Sequence, residues 1–390
     1  MSPRYITADW IYPVTSPRIF QGVIVIEGER ITGITSRDLI DTDLLEYHKG
    51  ILIPGFINSH CHLELSHLKG RIPTGTGLLE FIKGVVSLRE VSQDEIDAAI
   101  EEADAYMWSK GIQAVGDICN KPDTFSVKRR SKIKYYNFVE MFDFLQESRT
   151  DELTRGYKDA FALAPEPKSA VPHAPYSVSP GLFAQINQLN SGKVTVSIHN
   201  QELKAEEDLF VSGGGDFYSF YSRFGMNLDH FQHTGQSSIY YGLKHMDPEH
   251  RTLFVHNTLT LQKEVEDAHE WNSNVFWATC ANANLYIENK LPDYFAFINT
   301  GALMTIGTDS LSSNWQLSIL EEMKTITKYQ SRILFDTLLQ WATINGARAL
   351  GMDDQLGSLE IGKQPGIILL NYNPDEDNLA DQKVEVRRLI

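Results

Sequence analysis

Residues 51–62 read Ile51-Leu52-Ile53-Pro54-Gly55-Phe56-Ile57-Asn58-Ser59-His60-Cys61-His62, an apolar run that stops at two histidines one residue apart. Residues i and i+2 of an extended strand point to the same side, so both imidazoles share a direction. The same design recurs downstream, where apolar runs end in Val171-Pro172-His173, Ser197-Ile198-His199, Phe254-Val255-His256 and Ile306-Gly307-Thr308-Asp309. Candidate strands fall near 51–58, 113–118, 134–140, 169–172, 194–198, 252–255, 274–279 and 303–307, separated by longer amphipathic stretches. Short apolar strands alternating with helical periods specify βα units around a parallel sheet, and eight such strands close a barrel. The expected fold is therefore α/β, a (β/α)₈ TIM-like barrel. Its chemistry is expected at the C-terminal strand ends, where the His and Asp residues lie.

Outward from the barrel, both ends of the chain are β-rich. Gln21–Ile31 is a β-run broken by Gly28, where a hairpin turns. Gly357–Lys363 leads into Ile367–Leu370 and then an alternating Val384-Glu385-Val386 stretch. We expect residues 1–53 plus 355–390 to form one small composite β-sandwich domain, and 54–354 to form the barrel. Asp94 to Lys110 and Trp315 to Lys328 read as helices. The connection from about 199 to 251 carries Gly213-Gly214-Gly215, Phe217, Phe220, Tyr221 and Phe224. It is long enough to hold its own helices or an active-site lid.

Composition sets limits on function. The chain has 390 residues, 42% hydrophobic and 22% charged, which is ordinary for a soluble globular protein. A net charge of −16 argues against nucleic-acid or anionic-membrane partners, which call for clustered Lys and Arg. Cys61, Cys119 and Cys280 form neither CxxC nor a zinc-finger spacing. The N-terminus lacks the pattern of a signal peptide, and no apolar run spans a bilayer. A cytoplasmic protein with a small-molecule substrate is expected; the oligomeric state is open, and a homodimer is allowed.

Three imidazoles and a carboxylate make a ligand set for Zn²⁺, or for Fe²⁺. One divalent ion held by such a set at the strand ends would lower the pKa of bound water to about 7. Glu202, three residues beyond His199, is placed to exchange protons in the same cavity. Taken singly these residues have plainer readings. A lone HxH is weak evidence, His256 or His173 alone would be a hydrogen-bonded core histidine, and Asp309 alone could cap a helix. Their joint occurrence at five strand ends is what points to a site.

With these motifs in view, the sequence resembles the amidohydrolase superfamily, in its branch of nucleoside, guanine and triazine deaminases and chlorohydrolases. Pro54-Gly55-Phe56-Ile57-Asn58-Ser59-His60-Cys61-His62, His173-Ala174-Pro175-Tyr176, His199-Asn200-Gln201-Glu202, Val255-His256-Asn257, Gly307-Thr308-Asp309-Ser310 with Ser313-Asn314, and Gly357-Ser358-Leu359 to Gly362-Lys363 carry the likeness. The resemblance implies that His60, His62, His199 and Asp309 bind metal and that Glu202 delivers a proton to the leaving amine. It further implies that His256 orients the substrate, that Asp309 accepts the proton of the attacking water, and that His173 touches the substrate. The sequence departs from the family at Cys280-Ala281-Asn282-Ala283-Asn284, where Ala281 and Ala283 replace a Pro and a Ser. Strand four ends in His173 rather than a lysine, which favours one metal over two.

His62-Leu63-Glu64-Leu65-Ser66 is similar to a stretch in aminodeoxyfutalosine deaminases, and puts Glu64 at the substrate. The expected activity is hydrolytic deamination of an amino-substituted aromatic heterocycle. A 6-aminopurine nucleoside is the favoured substrate: aminodeoxyfutalosine, adenosine, or a thio or homocysteine derivative. Two rivals are a hydrolase on the same scaffold that displaces chloride or opens a cyclic amide, and a non-enzymatic scaffold. Glu202 argues against chloride, which leaves without a proton; the intact ligand set argues against a scaffold. The H-x-E with P-C-x-x-C signature of the unrelated zinc base deaminases is absent.

Overall fold

The computed structural model describes residues 2–381 and 383–390; residues 1 and 382, inside the expected terminal segments, lie outside the described residues. The strands are β1 (Arg4–Ile11), β2 (Ile19–Phe20), β3 (Gly22–Glu27), β4 (Arg30–Ser36), β5 (Leu45–Pro54), β6 (Phe56–Cys61), β7 (Ile112–Cys119), β8 (Lys134–Met141), β9 (Lys168–Pro172), β10 (Thr195–Asn200), β11 (Arg251–His256), β12 (Val275–Thr279), β13 (Leu303–Ile306), β14 (Ile367–Leu370) and β15 (Val386–Arg388). Two four-stranded parallel sheets, β6-β7-β8-β9 and β10-β11-β12-β13, make the α/β part. Hydrogen bonds join them at both edges. Ser169 Oγ donates to the Thr195 carbonyl at 2.6 Å and the His199 amide to the His173 carbonyl at 2.9 Å. On the other side Ser59 Oγ donates to the Ile306 carbonyl at 3.0 Å, and the Thr308 and Asp309 amides both reach the His60 carbonyl at 3.0 Å.

The strands of the two chain ends form one sheet, ordered β15-β14-β5-β1-β3-β4 with β2 on β1. A sandwich was expected there; the strands are instead hydrogen-bonded into a single seven-stranded sheet. Its own apolar core includes Ile6, Ile24, Ile26, Leu52, Ile367 and Leu369. The hairpin at Gly28 is present, with φ +64° between β3 and β4.

The expected strand 51–58 is two elements. Ile51 to Pro54 pair with β14, whereas Phe56 opens the barrel-type sheet beside Ile112. The partner changes at Gly55, whose amide donates to the Pro365 carbonyl, while the next amide donates to the Gly111 carbonyl. A Cβ at Gly55 would stand 2.8 Å from the Pro365 oxygen and 3.0 Å from Gln113 Cβ, so only glycine lets the chain cross between sheets here. An uninterrupted apolar run concealed this break.

The helix expected at Asp94–Lys110 is Gln93–Ser109, with Ser92 Oγ accepting from the Glu95 amide. The one expected from Trp315 starts later, at Ile319, where Ser318 caps it, and residues 315–318 are irregular. The long connection after β10 holds the helices Lys204–Ser212, Phe217–Ser222 and Ser238–His245. Among the described residues no helix is long and apolar enough to cross a membrane.

Candidate active site

The strand ends converge as expected. His60 Nε2 lies 3.2 Å from His62 Nε2, which lies 3.3 Å from His199 Nε2. Asp309 Oδ1 stands 3.6 Å from His60 Nε2 and 3.4 Å from His62 Nε2. Two of these donors are aimed by further contacts. His199 Nδ1 gives its proton to the His173 carbonyl at 2.7 Å, which leaves the Nε2 lone pair facing the cluster. Asp309 Oδ2 accepts from Ser313 Oγ, turning Oδ1 toward the histidines. Asn58 exchanges two hydrogen bonds with Thr308, at 2.7 and 3.0 Å, and locks β6 to the segment carrying Asp309. Gly307 permits this closeness: a Cβ there would stand 2.8 Å from His60 Cβ.

Electrostatics match a cation-binding role. Burial holds His60 and His199 below the ordinary imidazole pKa and pulls His62 down to about 3, which favours the uncharged ring a metal needs. Burial opposes the charge on Asp309, but the surrounding His60, His62 and His256 overcome it and hold the carboxyl well below the usual range. The nitrogens of His60, His62 and His199 lie within 4.8 Å of one another, as do donor atoms of His60, His256 and Asp309, and such imidazole and carboxylate donors suit a divalent cation.

Glu202 and His256 flank the cluster, with Glu202 Oε2 3.9 Å from His256 Nε2. His256 Nδ1–H donates to Asn284 Oδ1 at 2.7 Å, so its Nε2 is free toward the cavity. Asn284 is thus the working member of the divergent Cys280–Asn284 stretch. Asn282 binds a different partner: Glu322, fully buried, accepts from its backbone and side-chain amides at 2.9 Å each and from Asn314 at 2.8 Å. Glu202 is set by Glu206, whose carboxylate caps the Gln201 and Glu202 amides at 3.2 and 3.0 Å. Gln201, His256, Asn257 and Asp309 all have positive φ, from 48° to 71°. Non-glycine residues are uncommon in this region, and these four cluster at or just beyond the ends of β10, β11 and β13.

These residues open onto a cavity of about 250 Å³. Its outer walls are mostly apolar: Phe81 and Val85 from the helix Leu78–Leu88, Phe142 and Phe144 beyond β8, and Phe220 and Phe224 from the long connection. Tyr221 lines it too; Phe217 does not, being fully buried and stacked on Tyr176 at 4.6 Å. His173 lines the cavity, with Nδ1 2.7 Å from Ser177 Oγ, and burial takes its pKa down to about 4. Glu64 reaches the wall with both oxygens engaged. Oε1 accepts from Arg89 at 2.7 Å, and Oε2 from the Asn120 and Lys121 amides at 3.0 and 3.4 Å.

Sequence reasoning missed two groups. Glu140, near the end of β8, is buried at the cavity wall. Its place at the end of an apolar strand was the same signal that found the histidines. Asp117 and Lys128 form a fully buried ion pair at 2.6 Å, and Asp117 accepts from the Leu63 amide next to His62. No spacing rule links those two positions.

Residues 51–387 match the amidohydrolase family. The chain belongs to that family. It is 26% identical over 340 residues to an adenosine deaminase of Helicobacter pylori, covering 84% of this chain and 80% of that one. It is 25% identical to an aminodeoxyfutalosine deaminase of Nitratiruptor sp., over 86% and 82% of the two chains. Among solved structures it resembles H. pylori aminofutalosine deaminase in complex with methylthio-coformycin, with a TM-score of 0.81, 21% identity and coverage of 99% and 100%. It also resembles atrazine chlorohydrolase of Arthrobacter aurescens complexed with zinc, with a TM-score of 0.73, 19% identity and coverage of 93% and 86%.

Proposed function

We propose that this amidohydrolase is a hydrolytic deaminase of a 6-aminopurine nucleoside, built on a closed (β/α)₈ barrel over residues 54–354 with a composite β domain from 1–53 and 355–390. The observation that carries the reading is the closeness of His60, His62, His199 and Asp309, with the Glu202–His256 pair beside them, 3.9 Å apart. Relatives named as adenosine and aminodeoxyfutalosine deaminases support the substrate class. Cys61, Cys119 and Cys280, all buried and unpaired, fit a reducing cytoplasm.

His60, His62, His199 and Asp309 would hold one divalent cation, zinc in the first place and iron(II) in the second. When bound, the cation supplies Lewis-acid activation of the attacking water. Asp309 accepts the proton that water gives up as its oxygen adds to C6 and the C6–N1 π pair moves onto N1. His256, with Nδ1–H fixed on Asn284, presents Nε2 to orient water and substrate. Glu202 passes a proton to the 6-amino nitrogen, the N1 pair re-forms the C6–N1 double bond as the C–N bond breaks and ammonia leaves, and the proton held by Asp309 returns to Glu202. His173 contacts the bound heterocycle, and Glu64 serves the site by fixing Arg89 at the wall.

An amine leaving group needs the proton Glu202 supplies, which favours deamination over chloride displacement. The test is a screen of purified enzyme for ammonia release across 6-aminopurine nucleosides, free aminopurines, pterins and triazines. Ammonia from the nucleosides is expected. Chloride from a chlorotriazine, with no ammonia from any purine, refutes the proposal.

A further inference from the structure

One carboxylate in the cavity has no part in this chemistry. Glu140 is 3% exposed, and its Oε1 has no hydrogen-bond partner among the described residues. It lies 3.6 Å from His199 Nδ1, but that nitrogen already donates to the His173 carbonyl. The nearby charges do not balance it. Arg89 is held by Glu64 and by Asn120 Oδ1, each at 2.7 Å, and gives Glu140 no hydrogen bond. A buried acceptor with nothing to accept from is destabilising, and native structures seldom keep one without a use.

The missing partner arrives with a ligand, and the site limits what it can be. Glu140, His173 and His199 bring donor atoms within 4.8 Å, which invites a second cation. The Nδ1 atoms of both histidines are taken, by the His173 carbonyl and by Ser177, and His199 Nε2 faces the first cluster, so too few donors remain. A neutral O–H or N–H donor fits better. The His199 ring separates Glu140 from the cluster, with one nitrogen facing each side. Glu140 lines the same cavity as the cluster, Glu202 and His256, so a nucleoside bound with C6 at the cluster lies in a cavity whose wall includes Glu140.

We propose that Glu140 accepts a ribose hydroxyl and is the residue by which this enzyme selects ribonucleosides over deoxyribonucleosides. The assignment rests on the nucleoside reading of the site. The test compares kcat/KM for adenosine, 2′-deoxyadenosine and 3′-deoxyadenosine in the wild type, Glu140→Ala and Glu140→Gln, with metal content and thermal stability measured alongside. The wild type should favour adenosine over at least one deoxy analogue by roughly 10–100-fold, the scale of leaving a buried polar group without its partner. In Glu140→Ala that preference should fall below about 3-fold, with the loss on the KM for adenosine. Glu140→Gln should fall between the two. Metal content should hold and thermal stability should not decrease, since no protein group depends on Oε1. Equal losses on all three substrates, or loss of metal, would make Glu140 a prop for His199 and overturn the assignment, as would a wild type indifferent to both hydroxyls. If no purine nucleoside releases ammonia, the nucleoside reading itself has failed.

Discussion

Replacing Glu202 with glutamine separates chemistry from assembly. The residue is 7% exposed, and burial raises its pKa well above the ordinary carboxyl value, so folding already works against its charge. Glu202→Gln removes that conflict and leaves the backbone capped by Glu206, because those bonds go to amides and not to the Glu202 side chain. The fold should therefore be as stable as the wild type or more so, and the four cluster residues should keep their metal. What disappears is a group able to accept and return a proton beside His256. General acid–base catalysis contributes roughly 10²–10⁴-fold, or about 3–5 kcal/mol of barrier at about 1.4 kcal/mol per decade. We expect kcat for ammonia release to fall at least about 100-fold, with KM little changed, one metal ion per chain by elemental analysis and an undiminished melting temperature. Near-normal turnover in a fully metallated Glu202→Gln protein would mean that the proton travels by another route, and Glu202 would lose its place in the mechanism.

Other consequences follow from the same geometry. Elemental analysis should give close to one divalent ion per chain and His199→Ala should lose it; two ions, with full activity only at two, would refute the single site. Phe220→Ala should raise KM with normal metal content, because Phe220 lines the cavity, whereas Phe217→Ala should cost about 3–5 kcal/mol in urea unfolding through loss of a buried ring; the opposite assignment would show the cavity wall has been misread. Asn284→Leu frees the His256 Nδ1 proton from its acceptor and should lower kcat with metal retained, and an unchanged rate would remove His256 from the mechanism. Lys128→Met strands a buried Asp117 and should cost about 3–5 kcal/mol of stability, which equilibrium unfolding would detect.

The strand ends were readable because a strand buried on both faces is a run of apolar residues, and a polar residue that stops such a run has to have a destination. His60, His62, His173, His199, His256 and Asp309 all follow that rule, and all reach the cavity or the cluster at its floor. Glu140 obeys it as well, yet a glutamate at a strand end reads as a surface residue until its neighbours are known. Contacts between distant segments left no such trace. The Asp117–Lys128 pair, the Glu322 cap on Asn282 and Asn314, and the engagement of Glu64 by Arg89 depend on packing alone. The change of sheet at Gly55 was hidden for a related reason. Apolar content reports burial and not the partner strand, so a run that serves two sheets looks like one long strand.

The crossing at Gly55 also helps to hold the site. Gly55 carries the chain out of the terminal sheet five residues before His60, and the Gly55 amide is bonded to Pro365 in the returning C-terminal segment. β14, just beyond Pro365, pairs with β5 immediately before the crossing. The first two cluster residues thus hang from a strand whose start is clamped by the far end of the chain. At its other end that strand is tied to the Asp309 segment through Asn58, Thr308 and the His60 carbonyl. Fixing both ends of one short strand restricts His60 and His62 to a narrow range of positions, as donors spaced 3.2–3.6 Å apart require. The terminal sheet therefore contributes to the placement of β6, and through it to that of His60 and His62.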